Sequence, residues 1–210
     1  MITSIPSSFS QQRAREIMGK NFFGIEEASR IFMVNPSKEQ TAALADIPFS
    51  EEILAACRDT HVFVAVFPIT IVDIEVRVGD KLFYAYEDPW FDMQIFARER
   101  GRVGWHLVRK TPVENSTLKE WTAQQALLSN NEMTPTARLM VYTIIGHFLI
   151  TGERLFQNIY VRCSDKQDST GYRARVGHFT SEGLHVRPCW DDSQKDYIGL
   201  ASILKCCSKE

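Results

Sequence analysis

Between Leu139 and Thr151 the chain carries no formal charge, and this run constrains the fold more than any other stretch. Thr134 and Pro135 precede it, a cap and a first-turn proline whose missing N–H costs nothing. Gly152 stands where a left-handed residue would end a helix. Val141, Ile144, Ile145 and Phe148 mark one stripe, and Met140, Leu149 and Ile150 widen it until little of the surface is polar. A helix apolar nearly all round lies inside a bilayer or a protein core. This one is too short to cross a bilayer and carries His147 mid-run, so a core helix is expected, feeding a buried strand over 158–164.

The remainder of the chain supplies ample material to surround such a helix. Its 210 residues are 44% hydrophobic with a net charge of −2, which suits one large domain or a core domain with a helical extension. A near-neutral balance exerts no general pull on nucleic acid, so no nucleic-acid partner is expected. Cys57, Cys163, Cys189, Cys206 and Cys207 are odd in number and lack C-x-x-C spacing, which fits no zinc or redox framework. Reduced thiols, and a start without a basic stretch leading into an apolar one, point to a cytoplasmic protein with no membrane segment.

Taken in order, the pattern predicts an α+β protein: a helical subdomain over 1–60, then an α+β domain over 61–210. Helices are expected at 11–20, 24–32, 38–46 and 50–58, with Ser37 and Ser50 as caps. Three short helices with tight turns suit a helix-turn-helix, but acidic residues predominate here. Packing or homo-oligomerisation through residues 11–60 is therefore preferred. The run 61–67, HVFVAVF, reads as a buried strand, whereas 69–78, ITIVDIEVRV, fits a strand or a helical turn equally. Further strands are expected at 81–86 and 103–109. A turn at Asp88-Pro89 leads into a short helix ending near Arg100, and an amphipathic helix over 117–128 starts on a Thr117–Glu120 capping box.

After the core helix, the segments 158–164, 172–179, 184–190 and 197–204 are separated by polar turns and predict an antiparallel meander. Alternation sets Tyr172, Ala174 and Val176 against Arg173 and Arg175. It likewise sets Leu184 and Val186 against His185, Arg187 and Cys189. One face is therefore core, and the other is polar, mostly basic and expected to face solvent.

The segments NIYVRCSD, RVGHF, GLHV, WDD and IGLASILK resemble the C-terminal end of a C-type-lectin-like fold, in particular the variable proteins of diversity-generating retroelements. The stretches NFFGIEEA, THVFVAVFP, GWHLVRKTPVENST and GHFLITGERLF also make the whole chain similar to a set of bacterial hypothetical proteins with no assigned activity. The lectin-like resemblance covers about the last fifty residues. It implies a stiff frame at Val176, Gly177, Phe179, Gly183, Leu184, Val186, Trp190, Gly199 and Leu200. It also implies replaceable ligand-binding positions at Arg173, Arg175, His178, Thr180, His185, Arg187, Pro188, Cys189, Ser193, Gln194, Lys195 and Tyr197. The ending GLASILKCCSKE departs from that pattern, because such proteins often close on a basic or aromatic residue directly after the last strand.

Chemical motifs are weaker. His178 and His185 with Cys163 and Cys189 match no standard metal spacing, so no metal or cofactor is expected. Cys57 precedes His61 by one helical turn but lies on the apolar side with Ile53 and Leu54, which reads as a structural thiol. His147 reads as a satisfied core histidine. Trp190-Asp191-Asp192 is similar to the Trp-Asn-Asp of calcium-dependent lectins, yet an Asx-turn accounts for it without an ion. Glu87, Asp88 and Asp92 beside Trp90 and Phe91 form an acidic loop that serves acid/base work on one reading and solvation on the other. The function expected is recognition of a protein or glycan ligand of acidic character. The alternatives are an enzyme with Glu87, Asp88, Asp92 or His106 in an interdomain cleft, and an assembly protein.

Overall fold

A computed structural model describes residues 10–87, 90–167 and 171–206. The N-terminal helices form where their caps predict. Helix α1 (Gln11–Met18) begins on Ser10, whose side chain accepts from the Arg13 N–H. Two residues, Phe22–Phe23, then form strand β1. Helix α2 (Ile25–Phe32) follows, and at its start the Glu27 carboxylate accepts the Gly24 N–H at 2.8 Å. Ser37 and Gln40 close a capping box on α3 (Lys38–Ala43), and Ser50 caps α4 (Glu51–Cys57).

Strand β2 (His61–Val66) is buried along its whole length. The undecided stretch after it is helix α5 (Ile71–Val78), started by a reciprocal Thr70–Asp73 box that a strand could not use. The strand expected at 81–86 is absent. A 3-10 turn over Asp80–Leu82 is followed by one parallel bridge, Phe83 to Leu184. Trp90–Met93 is a second 3-10 turn, and α6 (Ile95–Arg98) follows it. The Asp88-Pro89 turn lies outside the described residues. Strand β3 (Gly104–Arg109) pairs antiparallel with β2, its Trp105 and Leu107 buried as the alternation predicts.

The amphipathic helix expected over 117–128 is confined to α7 (Trp121–Gln125). Leu118 takes a left-handed φ of 57° and gives its N–H to Lys195 O, while Trp121 gives its own to Asp191 O. Bonds to a distant loop thus replace the first helical turn, and Gln124, not the outer residues, is fully buried. Strand β4 (Glu132–Met133) leads to the central helix α8 (Ala137–Thr151). Its cap is Thr136 rather than Thr134; Thr134 is itself buried and accepts from Gln125 Nε2. Gly152 ends the helix at φ 73°, as expected.

Strands β5 (Tyr160–Lys166), β6 (Tyr172–Thr180) and β7 (Gly183–Trp190) form the antiparallel part of the expected meander. The segment 197–204 is not its fourth strand. It breaks into β8 (Ile198–Leu200), parallel to β5, and β9 (Ile203–Leu204), which enters the other sheet between β3 and β4. One sheet therefore runs β1-β2-β3-β9-β4 and the other β7-β6-β5-β8.

Helix α8 packs against β2 of the first sheet and β5 and β6 of the second. Tyr142 donates to Ala65 O at 3.0 Å, and Phe32 and Phe23 lie 4.4 and 5.7 Å from its ring. Both phenylalanines belong to the first sixty residues. That stretch thus contributes a strand to a sheet and side chains to one continuous core, without a break at the expected boundary. Among the described residues, no helix is long and apolar enough to cross a membrane.

Candidate functional site

The second sheet has the two faces that its alternation predicts. Val161, Cys163, Ala174, Val176, Leu184 and Val186 are buried on the side that includes the core. The opposite side carries an unusual row: Arg162 stands across from Arg175, and Arg175 across from Arg187. Directly opposed like charges repel, so each guanidinium in the row needs its own compensation.

Arg162 obtains it from acceptors. Fully buried, it donates to Lys119 O, Gln124 Oε1, Trp190 O and Ser193 O, tying β5 to two loops. Arg173 lies nearby under the same cover. Its guanidinium sits 3.5 Å from the centroid of Trp121 and pairs with Asp191 at 2.9 Å. Arg173 and Cys189, expected to be exposed and interchangeable, are accordingly buried, at 6% and 5% exposure. The segment containing α7 covers this end of the face, which single-strand alternation cannot anticipate.

At the other end the cover is aromatic. Arg175 lies over the ring of Tyr160 at 4.3 Å and Arg187 over that of Tyr86 at 4.6 Å. His185 stacks on Tyr84 at 4.1 Å and meets Tyr86 edge-on at 5.7 Å. It too is buried rather than outward-facing, because residues 83–86 lie along β7 in place of solvent. Gly183 permits that approach: a Cβ there would fall 2.4 Å from the Phe83 carbonyl carbon. His178, at a β-bulge with φ 50°, is turned so that its ring stacks on Tyr160 and comes within 5.2 Å of His185. Tyr197 closes the group on the far side of Tyr160.

The electrostatics follow from burial. Desolvation, reinforced by His178, Arg187 and Arg175, lowers His185 to about 4, so its ring is neutral at pH 7. Desolvation raises Tyr86 to about 12, and its neutral phenol is hydrogen-bonded to the nearby His185 Nδ1. The other ring nitrogen, Nε2, is buried without a partner among the described residues, as is Arg175 Nε. Neither Arg175 nor Arg187 has a carboxylate within 4.0 Å among those residues. Among the described residues the site therefore offers two guanidiniums and a buried, unpartnered imidazole nitrogen, framed by tyrosines, with no carboxylate in ion-pair range.

Of the positions expected to bind ligand, Arg175, His178, His185, Arg187 and Tyr197 come together here. Thr180 lies at the β6–β7 turn, where its hydroxyl accepts from Glu182 N. Ser193, Gln194 and Lys195 occupy the loop before β8, and the Ser193 and Lys195 carbonyls serve the internal bonds described above. Tyr84, Tyr86 and Tyr160 were missed by sequence reasoning. For Tyr84 and Tyr86 the signal was their alternate spacing in the strand expected over 81–86. In the acidic loop, burial raises the Asp92 carboxyl, and its Oδ1 has no partner among the described residues. Glu87 is exposed, and Asp88 lies outside the described residues.

A separate cleft of about 1620 Å³ opens between α4 and the edge of the first sheet. His106 lines it, lowered to about 4 by burial and by the Arg138 guanidinium. Among the described residues, no group of three or more histidine, cysteine, aspartate or glutamate side chains is arranged to hold a metal ion. No family model, curated protein or solved structure matches the chain.

Proposed function

We propose that this protein is a recognition module that binds an acidic protein or glycan ligand on the Arg175–Arg187 face. The observation carrying this reading is that these arginines stand opposite one another with aromatic rings for neighbours and, among the described residues, no carboxylate within 4.0 Å. An incoming carboxylate or sulfate would relieve their repulsion and accept from their guanidiniums. Rigid tyrosine rings add contact area at small entropic cost. The lectin-like resemblance agrees with this use of the face but is not needed for it.

The test is binding to immobilised sulfated, uronic-acid and neutral glycans and to acidic and neutral peptides, at two salt concentrations. Preference for the anionic members, lost with Arg187→Ala and weakened by salt, is the expected outcome. Equal binding to neutral and anionic members, or none to either, would remove the proposal.

Self-association through residues 11–60 is a second reading, supported by α3, which buries none of its residues, and by Met33, which is 63% exposed. Light scattering on the intact chain tests it: a dimer reduced by Met33→Asp supports it, and a monomer at all concentrations rejects it.

A further inference from the structure

The large cleft shares no residue with the arginine–tyrosine face and has its own chemistry. Its walls are mostly apolar, with Ile47, Phe49 and Ile53 on the helical side and Trp105, Leu139 and Ile203 on the side of the sheet and α8. Arg138, in the first turn of α8, lines the same space. It is 92% buried, the complement of its 8% exposure, yet its described hydrogen bonds use Nη1 alone, to Phe67 O and Ile69 O. Nη2 rests near Gly101, where a Cβ would come within 2.2 Å of it.

A buried cation ordinarily has a paired anion, because desolvating it alone costs several kcal/mol. Among the described residues no carboxylate lies within 4.0 Å of Arg138. Asp165 and Glu99 act on it only from beyond that range, and Asp165 is engaged by the Ala137 N–H at the start of α8. His106 stands beside the guanidinium as a further polar group on the cleft wall. The polar rim carries Asp46, Glu51 and Glu52 against Arg102 and Lys205, one negative charge in excess. Among the described residues none of these carboxylates comes within 4.0 Å of Arg138, so the cation lies at the wall without an ion-pair partner.

We infer that this cleft is a binding site for a monocarboxylic acid with an apolar body, of the fatty-acid type, its carboxylate on Arg138 and its chain along the apolar walls. The charge complement and the apolar lining select that class together. An apolar alcohol would leave the guanidinium unpaired, and a short polar acid would leave the walls wet.

The test titrates the intact protein with dodecanoate and with dodecanol, below their aggregation concentrations, following the Trp105 indole N–H by NMR and affinity by calorimetry. Dodecanoate is expected to bind one to one, at least about tenfold more tightly than dodecanol, the scale of one charge-assisted pair. Arg138→Gln should shrink that preference to about twofold or less. Ile53→Trp, which fills the cleft without touching Arg138, should weaken both ligands. Equal affinity for acid and alcohol in the wild-type protein, or no perturbation at Trp105 by either, would overturn the assignment without any variant having to fold.

Discussion

Arg162 and Gln124, both without solvent-exposed surface, meet through an Nη1–Oε1 hydrogen bond of 2.8 Å. Gln124 passes the connection on, donating from Nε2 to Ser116 O and Ile198 O. This small network fastens the segment around α7 over one half of the second sheet. The other half, left to tyrosines, is where the candidate ligand face lies.

Replacing Arg162 by methionine keeps much of the volume but orphans several buried acceptors, each worth roughly 1–3 kcal/mol. A loss of at least about 3 kcal/mol in urea unfolding is expected, against roughly 1–3 kcal/mol for Gln124→Leu. A double-mutant cycle should give a coupling of about 0.5–3 kcal/mol. Strictly additive effects would show that the two side chains act independently.

The burial pattern divides the twelve positions that the lectin-like resemblance marks as replaceable. Arg173→Ala removes the indole stack and the partly exposed pair with Asp191, and should cost about 1–3 kcal/mol. Arg187→Ala and Gln194→Ala, at exposed positions, should stay within about 0.5 kcal/mol of wild type. Thermal melts of the three variants decide this; a tolerated Arg173→Ala would restore that residue to the interchangeable set.

Acid should loosen this protein through its buried histidines. His61, His106 and His185 are each lowered from 6.5 to about 4 by desolvation and neighbouring arginine charge. Between those values the unfolded chain binds more protons than the folded one, so stability is full above pH 6.5 and falls as pH drops toward 4. Urea midpoints measured across that window should decline, and the slope should lessen in His185→Gln. A flat profile from pH 6.5 to 4 would contradict the assigned burial. Glu153, held at about 2 through Lys20, His147 and Lys110, adds a separate loss only below about 4.5.

Gly146 lies mid-helix, where alanine ordinarily stabilises by about 1 kcal/mol. Here a Cβ would fall 2.4 Å from the buried Phe23 ring. Gly146→Ala should therefore destabilise, by about 1–3 kcal/mol, and Phe23→Leu in the same chain should recover part of the loss. Circular-dichroism melts give the sign directly. A stabilised single variant would mean that β1 does not pack on α8 as described.

Much of the architecture was legible in the chain itself. The caps at Ser37 and Ser50, the stop at Gly152, the buried strand beginning at His61 and the two-faced strands β6 and β7 follow from short-range chemistry: an oxygen reaching an N–H three residues on, a glycine tolerating positive φ, a period of two. What local pattern could not supply was cover. The same alternation that sent Arg173 and His185 to one face left open whether water, Trp121 or Tyr84 would meet them there. The stretches 117–128 and 197–204 fared likewise, because bonds to distant loops and a second sheet outweighed their helical and strand periodicity. Sequence by itself determined which side chains point the same way. Only the folded chain decided what each of them faces, since that depends on contacts between segments dozens of residues apart.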